Sequence, residues 1–356
     1  MKSQAKIQTI VRVACIAIAI AFVATTAAQA QVPRDVAAKL VEIGKGVCVP
    51  QTAKLYAPLQ PKPPASGITI VRDISYADDP RTVMDLFSAE KGGGSRPVLV
   101  YVSGGAGDKR VTGPDGEAFY DNIMFWAVKN GMVGVNMQRR GGFGGGGGLA
   151  WDEPAKDVGR VVDWIRQNIT KYKGNPNRIF LWADSAGNVP VSTYAAHPEI
   201  HGEGGESVKG IVLMSSPNFS IAPETVPPIP GGAGIPACAG AEPRGGGAGR
   251  GAGAPGAGRG GGRGAPAPLD EATQLARSNL NGLAKGKIAV FVGWGELDPP
   301  NIVTFDEALK AAMCKTGKCP TTAFFKDHSH VSLVFSPNTA DDSVTGPILK
   351  WMKGVK

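Results

Sequence analysis

Histidine and charge are both scarce in this chain, and each scarcity narrows the chemistry it can perform. Four histidines occur in 356 residues, His197, His201, His328 and His330, so a mechanism that needs an imidazole has few places to find one. Charged residues amount to 19% and aromatic residues to 7%. No cysteine pair combines C-x₂-C spacing with a matching second half, which argues against a structural zinc site. No predicted element of the mature chain carries an apolar run long enough to span a bilayer. The formal charge of +8 is also smaller than it looks. Lys2, Lys6 and Arg12 account for three positive charges in an N-terminal segment read below as removable. Arg244, Arg250, Arg259 and Arg263 against Glu242 add a net three in one low-complexity tract, leaving +2 on the rest. A nearly neutral body is not built to bind nucleic acid.

Glycine is in excess. Its 50 occurrences are about twice the usual share of roughly 7%, and they concentrate in two places. Residues 231–268 form a Gly/Ala/Pro/Arg tract without apolar periodicity, which reads as a flexible exposed insertion between two strands. Residues 141–148 form a second run, expected as a mobile loop at the end of the sheet.

The first thirty residues have the grammar of an export signal. A basic start leads into the apolar run Val13 to Val23 and then Ala28-Gln29-Ala30, which places cleavage after Ala30. The expected location is therefore secreted or periplasmic, with no stable membrane span once the signal is gone. Cys48, Cys238, Cys314 and Cys319 then form an even set in an oxidising compartment. Cys314 and Cys319 are close enough to staple a local loop, although four cysteines allow three pairings.

Residues 31–66 read as an N-terminal extension, with a helical pattern over Val36 to Ile43 and a proline-rich linker after it. From Gly67 to the C-terminus, strands and helices alternate. Ile68–Val71 and Val83–Phe87 show the period-2 placement of edge strands. Pro97–Val102 is a continuous apolar run, as expected of a strand buried on both faces. Helical patterns over Phe119–Asn130 and Glu153–Ile169 separate it from strands at Met132–Met137 and Arg178–Trp182. Further strands are expected at Gly210–Met214, Lys287–Val292 and Thr321–Phe325, with a closing helix near Pro347–Met352. This alternation predicts an α/β fold with a mostly parallel sheet covered by helices on both faces.

Chemistry is concentrated where Arg178-Ile-Phe-Leu-Trp runs directly into Ala183-Asp184-Ser185-Ala186-Gly187. A buried strand entering small-x-Ser-x-Gly and then a helix is a nucleophile-elbow arrangement, which raises a serine hydroxyl at a helix N-terminus. Such a serine needs a base and an acid, in the chain order Ser…Asp/Glu…His on this type of sheet. Asp298, in Gly295-Glu296-Leu297-Asp298, lies 113 residues after Ser185, and His330 follows 32 residues later. Glu296 is the second candidate for the acid and His328 for the base. His197 and His201 fall just after the elbow helix and read as surface loop residues. Ser103-Gly104-Gly105-Ala106-Gly107 directly follows the central strand, where backbone N–H groups can approach a substrate oxygen. The loop has neither G-x-x-x-x-G-K-[ST] nor G-x-G-x-x-G, so an oxyanion hole is the better reading than a phosphate cradle. The N–H of Ala186 supplies a further donor.

These blocks resemble the carboxylesterase and hormone-sensitive-lipase-like branch of the α/β-hydrolase superfamily. Pro97-Val-Leu-Val-Tyr-Val-Ser-Gly-Gly-Ala is similar to its strand and His-Gly-Gly-Gly loop. Gly174-Asn-Pro-Asn-Arg-Ile-Phe-Leu-Trp-Ala-Asp-Ser-Ala-Gly is similar to its elbow block, and His328-Ser-His330-Val-Ser-Leu to its histidine block. The resemblance implies Ser185, Asp298 and His330 as a triad, with Gly105, Ala106 and Ala186 as oxyanion donors. It implies a small-molecule or carbohydrate-linked ester as substrate and no metal or organic cofactor. Three positions depart from the pattern: Ser103 stands in place of histidine, Ala183 in place of glycine, and Pro190 near the start of the elbow helix. Competing readings are a serine peptidase or amidase on the same fold, a non-catalytic binding protein on a degenerate hydrolase fold, and polyanion binding through the arginine-glycine tract.

Overall fold

A computed structural model describes residues 31–62, 66–141, 149–216, 235–239 and 270–356. Residues 1–30, read above as an export signal, residues 142–148 of the second glycine run, and all of the 231–268 tract except 235–239 lie outside the described residues.

Among the described residues, eight of ten strands make one sheet. In chain order they are β1 (Ile68–Ser75), β2 (Val83–Ala89), β3 (Arg96–Val102), the short pair β4 (Val111–Thr112) and β5 (Ala118–Phe119), β6 (Val133–Met137), β7 (Gly174–Asp184), β8 (Val208–Met214), β9 (Ala289–Leu297) and β10 (Thr321–Ser329). The large sheet runs β1-β2-β6-β3-β7-β8-β9-β10, and β4 pairs only with β5. From β6 to β10 every neighbouring pair is parallel, while β1–β2 and β2–β6 are antiparallel. The expected second edge strand is therefore interior: β2 buries Met84 to Ser88, and β1 alone takes that edge.

Alternation along the central strand divides the core in two. Val98, Val100 and Val102 pack into one apolar cluster, and Leu99 and Tyr101 into the other. All five are fully buried, and burial of each apolar side chain is worth about 1.5–3 kcal/mol. A strand bounded on both faces by such clusters has no polar side, which is why its sequence is a continuous apolar run.

The helices among the described residues are α1 (Arg34–Ile43), α2 (Val49–Tyr56), α3 (Asp121–Lys129), α4 (Glu153–Asn168), α5 (Asn188–Ala196), α6 (Pro198–His201), α7 (Glu271–Arg277), α8 (Leu280–Lys285), α9 (Pro300–Lys315), α10 (Ser332–Phe335) and α11 (Thr345–Gly354). Helix α4 shows how directly sequence spacing sets packing. Val158, Val161, Val162 and Ile165 recur at helical intervals and are all fully buried against the sheet. The N-terminal extension departs from expectation. Its proline-rich part contains α2, and Leu40 of α1 and Tyr56 of α2 are fully buried in the same cluster as Tyr101 and Trp182. Apolar anchors make this segment a packed piece of the fold rather than a linker.

Strand order reverses direction around β3, with β6 on one side and β7 on the other. The loops leaving the C-terminal ends of β3 and β7 consequently diverge and leave a crevice, the usual ligand site of an open parallel sheet. The expected glycine loop and the expected nucleophile leave these two strand ends.

An ion network fastens the antiparallel edge to the loop after β3. Asp85 on β2 is fully buried and accepts hydrogen bonds from Lys109 Nζ, from Arg72 Nη1 at 2.8 Å and from the Asp73 amide at 2.9 Å. Burial alone would raise its pKa, but the donors from Lys109, Asp73 and Arg72 hold it below the ordinary carboxylate value. Replacing Asp85 by alanine leaves the buried Lys109 ammonium with only the exposed Asp73 carboxylate as counter-charge. We expect Asp85→Ala to cost about 3 kcal/mol of unfolding free energy by urea titration.

Candidate active site

The elbow forms where β7 ends. After Asp184 the chain passes through one 3₁₀ turn, Ser185–Gly187, into α5. Ser185 adopts φ +48°, a left-handed conformation that costs a non-glycine residue about 1–2 kcal/mol. Close packing maintains it. A Cβ on Gly187 would stand 2.2 Å from the Val102 carbonyl oxygen, and one on Gly104 would stand 2.6 Å from the Ser185 Cβ. Both positions need glycine because the β3 loop and the elbow are in contact. Ala183, where the family motif has glycine, instead turns its methyl into the apolar cluster of Val100 and Val102. Pro190 is the third residue of α5, within the first turn, where N–H groups lack intrahelical partners and none is lost.

Asp298 and His330 arrive from neighbouring strand ends. His330 Nδ1 lies 2.8 Å from Asp298 Oδ1, and the two residues are 4% and 1% exposed. The other carboxylate oxygen of Asp298 accepts from Ser215 Oγ at 2.5 Å and from the Gly295 amide at 2.6 Å. Three donors thus fix the acid that faces the imidazole. Ser215, at the end of β8, has φ +50° and is buried.

The alternative candidates are held elsewhere. Glu296 Oε2 accepts from the Asp327 amide at 2.9 Å. His328 is fully buried between Ser332 Oγ at 3.0 Å and Ser343 Oγ at 2.8 Å. His197, expected on the surface, is only 8% exposed and contacts Glu199 and the Asn279 amide oxygen. His201 is partly buried against Tyr194 and the Ala195 carbonyl.

Side chains invisible to motif reading shape the glycine loop. Asp184 Oδ1 accepts from the Tyr101 hydroxyl at 2.5 Å and from the Gly104 amide at 3.1 Å. Burial raises the Asp184 pKa, opposed by the Tyr101 hydroxyl and by the charge of His330. Arg139, just beyond β6, is 2% exposed. Its guanidinium donates to the carbonyls of Ser103 at 3.2 Å, Gly105 at 3.0 Å and Gly141. Its own amide donates to the Gly107 carbonyl at 3.0 Å. Burial lowers its pKa to about 10, so it remains charged at neutral pH. Arg139 thereby turns the carbonyls of this loop in one direction. Ser103 points its hydroxyl to the Asp108 carbonyl at 2.7 Å, closing the loop on itself.

Ser185, His330, Asp184 and the Gly104–Ala106 backbone border one cavity of about 160 Å³. Its remaining wall is largely apolar, from Val47, Val49, Val111, Tyr120, Val331 and Val334. Ala186, the third expected oxyanion donor, follows Ser185 directly and is 7% exposed.

A third buried carboxyl lies behind the acid. Asp306 on α9 is fully buried, and its Oδ1 accepts from the Ser216 amide at 3.3 Å while Oδ2 has no partner among the described residues. Burial first, and the negative charge of Asp298 second, push its pKa well above the ordinary value. The native state therefore retains a proton that the unfolded chain releases near pH 4 (roughly), and stability falls as pH rises beyond that range. We expect Asp306→Asn to be more stable than the parent at neutral pH, with the gain disappearing toward about pH 4. Urea unfolding at both pH values reads this directly.

Comparison with known proteins agrees with this architecture. Residues 80–223 match the model of the carboxylesterase family. Among curated relatives, phenmedipham hydrolase of Pseudarthrobacter oxydans is 30% identical over 49% of this chain and 34% of its own length. Para-nitrobenzyl esterase of Bacillus subtilis is 26% identical over 36% of this chain and 28% of its own. The chain thus spans about a third of the length of these relatives. Among solved structures, esterase B from Lactobacillus rhamnosis superposes with TM-score 0.56 at 13% identity, covering 85% of this chain and 90% of that one. A truncated carbohydrate esterase from gut microbiota superposes with TM-score 0.53 at 14% identity, covering 82% and 98%. Sheet order, elbow and these superpositions together give the chain an α/β-hydrolase fold, and its residues 80–223 are similar to the carboxylesterase family.

Proposed function

We propose that this protein is an exported serine hydrolase that cleaves carboxylic esters through an acyl-enzyme on Ser185. The observation that carries the reading is the 2.8 Å contact between His330 Nδ1 and Asp298 Oδ1, with His330 and Ser185 on the wall of one cavity. Asp298 accepts from Nδ1–H and so leaves Nε2 as the basic nitrogen. His330 takes the Ser185 proton as Oγ attacks the ester carbonyl, then gives it to the departing alcohol. Water repeats the sequence to release the acid. Asp298, anchored by Ser215 and Gly295, stabilises the imidazolium in both halves.

The tetrahedral oxyanion is met by the amides of Gly105, Ala106 and Ala186. The amide of Gly104 is not part of this set, because it is committed to Asp184. Arg139 acts through the loop: by holding the Gly105 carbonyl it sets the Ala106 N–H of the same peptide toward the cavity, and by holding the Ser103 carbonyl it sets the Gly104 N–H that Asp184 accepts. Preorganised donors of this kind contribute about 10²–10³ in rate each. Export is supported by the N-terminal signal pattern and by the pairing of four cysteines, Cys48 with Cys238 and Cys314 with Cys319. The substrate is a small-molecule or carbohydrate-linked ester that fits the apolar wall beside Ser185.

Hydrolysis of p-nitrophenyl acetate by the mature protein tests the reading. Ser185→Ala should lower kcat by about 10⁴-fold or more. Full activity in that variant would remove Ser185 from the mechanism. Arg139→Gln should lower kcat about 10–100-fold with KM nearly constant, since a loop misplaced by an ångström loses transition-state contacts before ground-state ones. A change confined to KM would contradict the role given to Arg139.

A further inference from the structure

Part of the cavity wall comes from outside the region that matches the carboxylesterase family. Val47 and Val49 border the same space as Ser185 and His330, yet Val47 lies in the turn between α1 and α2 and Val49 is the first residue of α2, upstream of the matched residues 80–223. The residue between them, Cys48, is 1% exposed and bonded to Cys238 across a sequence separation of 190 residues. Two hydrogen bonds reinforce the join, from the Ala239 amide to the Ile43 carbonyl at 3.1 Å and from Gln51 Nε2 to the Ala239 carbonyl at 3.5 Å. There is no slack at Gly46, where a Cβ would stand 2.6 Å from the Pro236 carbonyl oxygen and 3.1 Å from the Cys238 Sγ.

We propose that Val47 and Val49, clamped by the Cys48–Cys238 disulfide, set the upper size of the group that this site accepts, restricting it to esters of short acids. This rests on the serine-esterase reading above and extends it to specificity. A dry cavity of about 150 Å³ holds one benzene molecule, so about 160 Å³ accommodates an apolar group of roughly six carbons. The cavity opens partly to solvent, and a long fatty acyl chain would have to displace the valines or run out past them. They cannot withdraw while the clamp is closed. The clamp is also separable from the fold, because α1 and α2 hold their own places through fully buried Leu40 and Tyr56. Breaking the disulfide frees the turn and its valines without removing those anchors. Val47 itself, 36% exposed, has little packing of its own to hold it.

The test compares kcat/KM for p-nitrophenyl acetate, butyrate and octanoate in the full-length mature protein and three variants. Val47→Ala combined with Val49→Ala should raise the octanoate-to-acetate ratio by at least about tenfold, the scale of discrimination that a few methyl groups provide in an apolar pocket. Val49→Phe should lower the butyrate-to-acetate ratio. Cys48→Ser combined with Cys238→Ser should shift the ratio toward octanoate, with melting temperature confirming a folded protein. Ratios unchanged in both valine variants would overturn the proposal. A shift in the valine variants without one in a folded cysteine variant would overturn the clamp and keep the valines as the size limit. If the parent hydrolyses none of the three esters, the serine-esterase reading itself fails. If it hydrolyses acetate and the ratios do not move, only the specificity assignment fails.

Discussion

Ser185 is held with φ +48° at the junction of the central sheet and α5, and the rest of the site is arranged around that constraint. An L-residue adopts this conformation only where surrounding packing leaves it no relaxed alternative. Here the packing is backbone on backbone: the turn abuts the carbonyls of Val102 and Ser103, with no room for a side chain at Gly187. That contact brings the end of β3 to the nucleophile, so the loop after β3 is the one that can supply donors to an oxyanion. Buried apolar strands flank the junction on both sides. Val98 to Val102 and Ile179 to Ala183 are almost completely buried and pair in parallel register.

Charge around the elbow is sorted by partner. Asp298 has partners on both oxygens, His330 on one and Ser215 and the Gly295 amide on the other. Asp306, one layer behind it, has a single backbone donor and is driven toward the neutral acid by burial. Asp184 lies between these cases, with the Tyr101 hydroxyl and the Gly104 amide on one oxygen. Three carboxyls in one buried neighbourhood repel when ionised, and burial pushes the pKa of both Asp184 and Asp306 up. Arg139 supplies the positive side of this balance while its fork holds loop carbonyls.

The sheet was legible because buried parallel strands have to be apolar throughout, and the runs at Pro97–Val102 and Arg178–Trp182 could hardly be anything else. The pairing of Asp298 with His330 was legible through chain order and the glycine turn before Asp298. Other features had no local signal. Ser215 is one small polar residue at a strand end, and its bond to Asp298 spans 83 positions. Arg139 is one of two adjacent arginines beside a glycine run, a context that reads as exposed charge, yet tertiary packing buries it. Helix α2 was hidden by Pro50 inside it and by the run of prolines after it, although Pro50 at its first turn suits a helix start. The interior place of β2 was missed because its alternating pattern reports one polar face, and the residue that occupies that face, Asp85, is satisfied by Lys109 and Arg72 rather than by water.

Chemical labelling addresses the central claim most directly. The mature protein would be treated with an alkyl fluorophosphonate, which phosphonylates a serine only when a neighbouring base and oxyanion donors activate it, and digested for mass spectrometry. The account predicts one adduct, on the peptide containing Ser185, which disappears when His330 is replaced by alanine. An adduct on any other residue, or none in a demonstrably folded protein, would contradict it.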